Sequence, residues 1–143
     1  MRELKFRAYL KEERKYVYPT LILVDFGVVT GIAYTDIDEI TYQPKERRLI
    51  IEDVVIEQAT GLKDKNGKKI WEGDIVEIDD KYDEYGKNAG QVYAIYFNYG
   101  GFRCKPKYPS SIARGDKGYW VEDGNDFIVI GNIHDNPELL EGK

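Results

Sequence analysis

Apolar residues in this chain come in short segments, and a glycine, a proline or a charged turn closes each one. At the start, Leu4, Phe6, Ala8 and Leu10 alternate with charged or aromatic residues, which is the pattern of a half-buried strand. Later segments are rich in valine, isoleucine and tyrosine, and the chain has 12 Tyr among 143 residues. We therefore predict a mainly-β fold, built as a barrel or a curled sheet.

Turn-forming residues separate these predicted strands. Gly27 predicts a bulge between two apolar segments, and we expect turns at Pro44–Arg47 and at Thr60-Gly61. Asn66-Gly67 suits the positive φ angles of a tight hairpin turn. Glu72-Gly73-Asp74 predicts another turn, and the order of residues around it resembles the entry into many small SH3-like barrels.

Helical structure is expected to be minor. A short helix through Asp36 to Ile40 is one interpretation of that stretch. Gln91 to Phe97 carries apolar residues on both faces, which predicts a central strand. Near the end, Asn136 is a candidate helix N-cap and Pro137 fits the first helical position, so we expect one short C-terminal helical turn.

The formal net charge of −5 argues against a broad basic surface for phosphate backbones. A single cysteine, Cys104, and a single histidine, His134, exclude an internal disulfide and a zinc site of the usual kind. No apolar run approaches the ~20 residues of a membrane helix, and the start lacks an apolar segment of signal-peptide length. We expect a cytoplasmic protein without a cofactor and without a membrane partner.

Three segments of the sequence resemble the YopX-like family of phage and prophage proteins. They are MRELKFRA at 1–8, TGLKDKNGKKIWEGDIV at 60–76 and VIGNIHDNPELL at 129–140. Three positions depart from the family pattern, because Tyr9 stands where tryptophan is usual, Trp71 where tyrosine is common and His134 where tyrosine is frequent. All three keep a flat ring.

The resemblance implies a β-rich fold, which we expect as an SH3-like small barrel with additional strands and a short C-terminal helical turn. It also implies an origin in a mobile genetic element and a bacterial cytoplasm, and it implies no molecular activity. We expect one domain over 1–143, with a strand-rich subregion 1–58 packed on a barrel-like core 59–140. The family-motif residues expected to be structural are Gly61, Asp64, Asn66, Gly67, Glu72, Gly73, Asp74, Gly131, Asn132, Asn136 and Pro137.

Several candidate sites have a simpler structural interpretation. Gly61 to Lys69 has the wrong spacing for a phosphate loop and lacks its Ser or Thr, so we expect a hairpin turn. The carboxylates between Asp79 and Glu84 miss the calcium-loop pattern and fit a solvated loop better. His134 has no motif-borne nucleophile beside it, and Cys104 fits a small strand residue, so we assign no catalytic or metal-binding residue.

One group of residues suggests a site for binding a macromolecule. Trp71 follows a group of lysines, and an aromatic ring beside lysines can stack a base or anchor a protein partner. The alternative is that Trp71 belongs to the core while the lysines solvate a hairpin tip. The candidate macromolecule-binding residues are Lys63, Lys65, Lys68, Lys69 and Trp71.

Three classes of function stay open at this stage. The one we favour is a phage or prophage accessory protein of unknown activity that acts as a non-enzymatic binding module for a host or phage protein. Self-association belongs to this class, since exposed edge strands and aromatic residues favour assembly. The alternatives are a nucleic-acid-binding protein that uses the lysine-rich hairpin 63–69 and Trp71, and an enzyme with a concave pocket.

Overall fold

The chain divides into two compact units, residues 1–58 and 59–143. The predicted loops 79–90 and 106–118 lie outside the part of the chain that is described, except for Pro106, which ends a strand. The computed structural model describes residues 4–78, 91–98, 101–106, 119–121 and 124–141.

The first unit contains two antiparallel sheets. Its strands are β1 (Phe6–Leu10), β2 (Lys15–Val17), β3 (Leu21–Asp25), β4 (Val28–Ile37), β5 (Pro44–Ile50) and β6 (Val54–Lys63), with a 3₁₀ turn at Ile51–Asp53. β1 lies between β2 and the first half of β6, so that Ala8 is paired with Val17 and Ile56. β4 lies between β3 and β5 in a separate three-stranded sheet. The core of this unit is a cluster of buried residues: Ala8, Leu10, Ile32, Tyr34 and Val54.

The described part of the second unit contains the end of β6 and six further strands. These are β7 (Lys69–Trp71), β8 (Asp74–Ile78), β9 (Val92–Asn98), β10 (Gly101–Pro106), β11 (Tyr119–Trp120) and β12 (Phe127–Asn132), followed by a 3₁₀ turn at Pro137–Leu139. Five of them form one sheet in the order β11-β10-β9-β8-β12. The core of this unit is a second buried cluster: Ile70, Val76, Tyr93, Ile95 and Cys104.

The mainly-β prediction is confirmed. The expected small barrel is a curled half-barrel sheet accompanied by other sheets, and the expected C-terminal helical turn is the 3₁₀ turn at Pro137–Leu139. The segment Gln91 to Phe97 is central as predicted, because β9 lies between β8 and β10. Among the described residues, no helix has both the length and the apolar character needed to cross a membrane.

The helix considered through Asp36 to Ile40 is wrong. β4 continues to Ile37, because residues 34–37 pair with 44–47 of β5. The chain then turns at Asp38, whose Oδ1 accepts the N–H groups of Ile40 and Thr41 at 2.9 Å each. An aspartate that bonds nearby backbone N–H groups in this way favours a turn over a helix.

Two segments predicted as turns belong instead to strands. Pro44–Arg47 opens β5, where proline is tolerated because it is the first residue of an edge strand. Thr60-Gly61 lies inside β6, where Gly61 has a φ of 81° and the register shifts between Ala59 and Lys63. Glycine at a positive φ accommodates such a bulge without ending the strand.

Candidate functional site

Asp64 is the centre of the hairpin that carries the lysines. This residue is 6% exposed, and its Oδ1 accepts the backbone N–H groups of Asn66 and Lys68 at 2.9 Å each. Oδ2 accepts the N–H of Val129 on β12 at 3.0 Å, and the N–H of Lys65 donates to the carbonyl of Phe127. These bonds fasten the hairpin to the edge of β12.

The surroundings of Asp64 favour its charged form. Burial alone would raise the pKa of this carboxyl, and it is the largest single influence. The N–H donors of Val129, Lys68 and Asn66, with the charge of Lys68, together outweigh burial and hold the pKa below its ordinary value. A carboxylate that stabilises a turn in this way is a structural group.

The four lysines lie together on this hairpin, which we call the lysine hairpin (residues 63–69). Lys63, Lys65, Lys68 and Lys69 are all exposed. Gly67 turns the chain between them with a φ of 83°, but Asn66 does not share a positive φ, so the conformation predicted for the pair is found at Gly67 alone. The sequence therefore placed the basic cluster correctly on a hairpin.

Trp71 does not share the exposure of the lysines. Trp71 as a whole is only 7% exposed, and its backbone N–H donates to Asp74 Oδ2 at 2.8 Å. The neighbouring Gly73 has a φ of 86°, and its N–H and carbonyl bond to Ile95 and Ile133. Burial leaves little of the Trp71 ring for stacking a base, so its role as a binding residue is corrected to a core role.

The closing motif, residues 129–140, contains a second group of side-chain-to-backbone hydrogen bonds. Asn132 Oδ1 accepts the N–H groups of His134 and Asp135 at 3.0 and 2.9 Å. Asn136 precedes the 3₁₀ turn as predicted, but its side chain makes no capping bond. Its Oδ1 instead accepts the N–H of Asn132 at 3.3 Å, and a side chain at Gly131 would meet that oxygen at 2.5 Å.

The remaining single-residue candidates from the sequence, Cys104 and His134, lie at different elements. Cys104 is buried on β10, and His134 is partly buried just after β12. Among the described residues, no group of three or more His, Cys, Asp or Glu side chains is arranged to hold a metal ion. The carboxylates between Asp79 and Glu84 lie outside the described ranges.

Sequence reasoning missed a buried ion pair in the first unit. Arg7 Nε donates to Glu57 Oε1 at 3.0 Å, and both side chains are almost fully buried. Tyr16 donates its hydroxyl to the same Glu57 oxygen at 2.8 Å, and its ring lies under the Arg7 guanidinium at 3.9 Å. The pairing of β1 with β2 and β6 aligns these three residues, which no local pattern shows.

Sequence reasoning also missed an exposed apolar surface. In the described ranges, ten of the twelve exposed large apolar residues belong to the first unit. Eight of them lie on the three-stranded sheet and its two loops, and we call these eight the apolar sheet surface. They are Leu21, Val24, Phe26, Val28, Ile37, Ile40, Tyr42 and Ile50.

Strand alternation explains part of this exposure. Ile32 and Tyr34 of β4 point into the core, so their alternate neighbours lie on the opposite face. Gly31 and Ala33 on that opposite face are paired with Ile50 and Leu21 respectively. Leu21 is 53% exposed and Ile50 is 59% exposed, whereas Ala33 is fully buried, so the apolar exposure on this face lies on the edge strands β3 and β5 and not at its centre.

Phe26 is the most exposed member of the apolar sheet surface. Asp25 pairs with Val28, so Phe26 and Gly27 form a two-residue hairpin loop with φ angles of 48° and 77°. Positive φ at both positions is typical of a type I′ turn, where asparagine is favoured and an aromatic residue is strained. Phe26 is nevertheless 99% exposed. The bulge predicted at Gly27 is therefore wrong, because Gly27 lies in the hairpin loop and the register shift falls between Leu23 and Val24.

Comparison with known proteins identifies the family. The model of the YopX protein family matches residues 5–141. The chain belongs to the YopX family. A solved structure similar to this chain is the crystal structure of the protein EF1440 from Enterococcus faecalis, with 27% sequence identity and a TM-score of 0.65. The similarity covers 99% of this chain and 100% of that one. A search of curated proteins found no match.

The YopX match extends over both candidate surfaces. Residues 5–141 include the lysine hairpin and the apolar sheet surface. YopX membership therefore does not choose between them, and the choice depends on the exposure and chemistry of each.

Proposed function

We propose that this YopX-family protein is a non-enzymatic binding module that docks a protein partner on its apolar sheet surface. The observation that supports this most strongly is Phe26, which is 99% exposed and held at a φ of 48°. Because its ring is exposed, Phe26 contributes no hydrophobic burial energy to folding. Its left-handed conformation costs about 1–2 kcal/mol, as for any residue with a Cβ. Strain of this kind is concentrated at functional sites.

The neighbours of Phe26 support the same conclusion. Val28, next to the turn, is 65% exposed and extends the apolar area beyond one ring, whereas Val24, 60% exposed, pairs with Val29 and lies on the other face of the hairpin. Contiguous exposed apolar surface on a soluble protein marks interaction sites, and a central aromatic residue commonly contributes most of the binding energy. At the other end of β4, Tyr42 is also exposed at a positive φ.

The proposed setting is the bacterial cytoplasm, where an accessory protein encoded by a phage or prophage would meet host or phage proteins. Resemblance to phage and prophage proteins motivates this setting. Our proposal requires no reaction at the site, because an apolar surface contributes affinity without supplying an acid, a base or a nucleophile.

The test is capture of proteins from a bacterial host by tagged variants of the full chain. Phe26→Asn removes the ring and keeps the turn, because asparagine before glycine suits a type I′ hairpin. Ile133→Asn, at an exposed apolar position of the second unit, is the matched control. We expect a captured protein to be lost with Phe26→Asn and retained with Ile133→Asn. Equal capture by all three chains would contradict the proposal.

A nucleic-acid-binding function is the alternative, and the exposure of all four lysines of the lysine hairpin favours it. The net charge of −5 and the buried ring of Trp71 weigh against it. Binding that weakens with salt and disappears on reversing the charges of Lys63, Lys65, Lys68 and Lys69 would support it. An absence of binding to single-stranded and duplex DNA and RNA at low salt would eliminate it.

A further inference from the structure

The three-stranded sheet of the first unit has two edges of different character. β3, at one edge, reads Leu21-Ile22-Leu23-Val24-Asp25 and carries a single charge at its end. β5, at the other edge, carries Lys45, Glu46, Arg47 and Arg48 in succession. Charged side chains on an edge strand discourage further pairing, whereas an apolar edge permits it.

In the second unit, a neighbouring part of the chain covers the edge strand of the sheet. β12 is an edge strand of the five-stranded sheet, and the lysine hairpin lies along it. The N–H of Val129 donates to Asp64 and the carbonyl of Phe127 accepts from Lys65, so the chain itself covers this edge. β3 has neither device within the described residues, since β4 is the one described strand that pairs with it.

We propose that β3 pairs antiparallel with β3 of a second copy of this chain, which joins two three-stranded sheets into one of six strands. This inference goes beyond the proposed function, because it concerns the strand edge and names the occupant. An added strand contributes backbone hydrogen bonds along the edge, and alternate side chains set specificity. A twofold axis makes such a contact self-complementary and closed.

The register follows from the length of β3. Centring the twofold axis on Leu23 is the one antiparallel register that pairs all five residues. Leu23 then faces Leu23 of the second copy, Ile22 faces its Val24, and Leu21 faces its Asp25. The two Asp25 carboxylates lie roughly 13 Å apart along the strands, so no like charges meet.

The charges also favour a second β3 over the β5 edge of a second copy. Pairing β3 with β5 would place Arg47, Arg48 or Lys45 against apolar residues of β3. It would also compete with the ion pairs of Arg47 with Glu13 and of Arg48 with Glu46. A head-to-tail contact of this kind builds an open fibre, whereas β3 with β3 closes as a dimer.

Variants that carry opposite charges at position 23 test both the pairing of β3 with β3 and its register. Leu23 is paired with Gly31, so it lies on the face opposite the buried Ile32. In sedimentation experiments on the full chain, we expect a dimer for the wild type and monomers for Leu23→Lys and for Leu23→Glu. An equimolar mixture of the two variants should regain the dimer, because each lysine then faces a glutamate.

Two further variants separate loss of this contact from a general effect of added charge or from unfolding. Ile50→Lys, on the same face but on β5, should leave the dimer intact. If circular dichroism shows that the Leu23 variants are unfolded, Val24→Lys at a 60% exposed position replaces them and should give a folded monomer.

A wild type that stays monomeric at all concentrations, or a dimer unaffected by these β3 variants, would overturn the inference. A monomeric wild type that still captures a host protein through Phe26 would overturn this inference alone. A β3-dependent dimer whose capture of other proteins is insensitive to Phe26→Asn would support it while contradicting the proposed function.

Discussion

Asp64 Oδ2 accepts the backbone N–H of Val129 at 3.0 Å, a bond that joins residues 65 positions apart in sequence. Replacing Asp64 with asparagine substitutes a donor for one acceptor oxygen, so at least one buried N–H loses its partner. We expect Asp64→Asn to lower the free energy of unfolding by about 1–3 kcal/mol. Chemical denaturation at neutral pH measures this change.

The same carboxylate predicts a pH dependence. The pKa of Asp64 lies below its ordinary value of 3.8, so its stabilising bonds are fully present above that pH. They are lost as the pH falls through the lower pKa of the folded state. The difference in stability between wild type and Asp64→Asn should be constant from about pH 5 to about pH 8 and shrink below about pH 4. A difference that grows on acidification would contradict this assignment.

Gly124 and Gly67 are needed as glycines for different reasons: Gly124 because a side chain would clash with its neighbours, and Gly67 because of its positive φ. A Cβ at Gly124 would overlap the carbonyl oxygen of Lys63 and lie 2.7 Å from Ile70 Cδ1. A Cβ at Gly67 meets nothing within 4 Å, but φ there is 83°. We expect Gly124→Ala to cost about 2–3 kcal/mol and Gly67→Ala about 1 kcal/mol. Thermal unfolding of the two variants checks the order, and a reversed order would contradict it.

Because Arg7 and Glu57 form a buried ion pair, the stability losses from mutating them should not be additive. Glu57→Ala removes the carboxylate 3.0 Å from a buried guanidinium and should cost about 3–5 kcal/mol. The double variant Arg7→Met with Glu57→Met removes both charges and keeps most of the volume. Denaturation curves should show the double variant to be more stable than Glu57→Ala. Equal losses would mean that the charge of Arg7 is not the source of the cost.

Local sequence patterns predicted the elements whose signals are local. Alternation around Ala8 found β1, and Asn66-Gly67 found the tight turn of the lysine hairpin. The polar composition of Pro44–Arg47 predicts a turn, yet pairing with β4 makes this segment a strand. That pairing depends on tertiary structure, which overrides the weak preference of charged residues for loops.

The candidate site was predicted only in part for the same reason. Lysines near a turn are exposed in almost any fold, so the exposure of the lysine hairpin could be predicted. The burial of Trp71 and the exposure of Phe26 depend on which face of each strand meets the core. A one-residue error in register reverses that assignment, which is why composition alone could not distinguish the two aromatic residues.

The central claim is that the Phe26 ring is retained for binding at the expense of stability. Its most direct test measures stability and capture on Phe26→Asn together. We predict a variant about 0.5–1 kcal/mol more stable than wild type, since asparagine tolerates the left-handed turn, that captures about tenfold less partner. A variant that is less stable than wild type and captures as much would contradict the account.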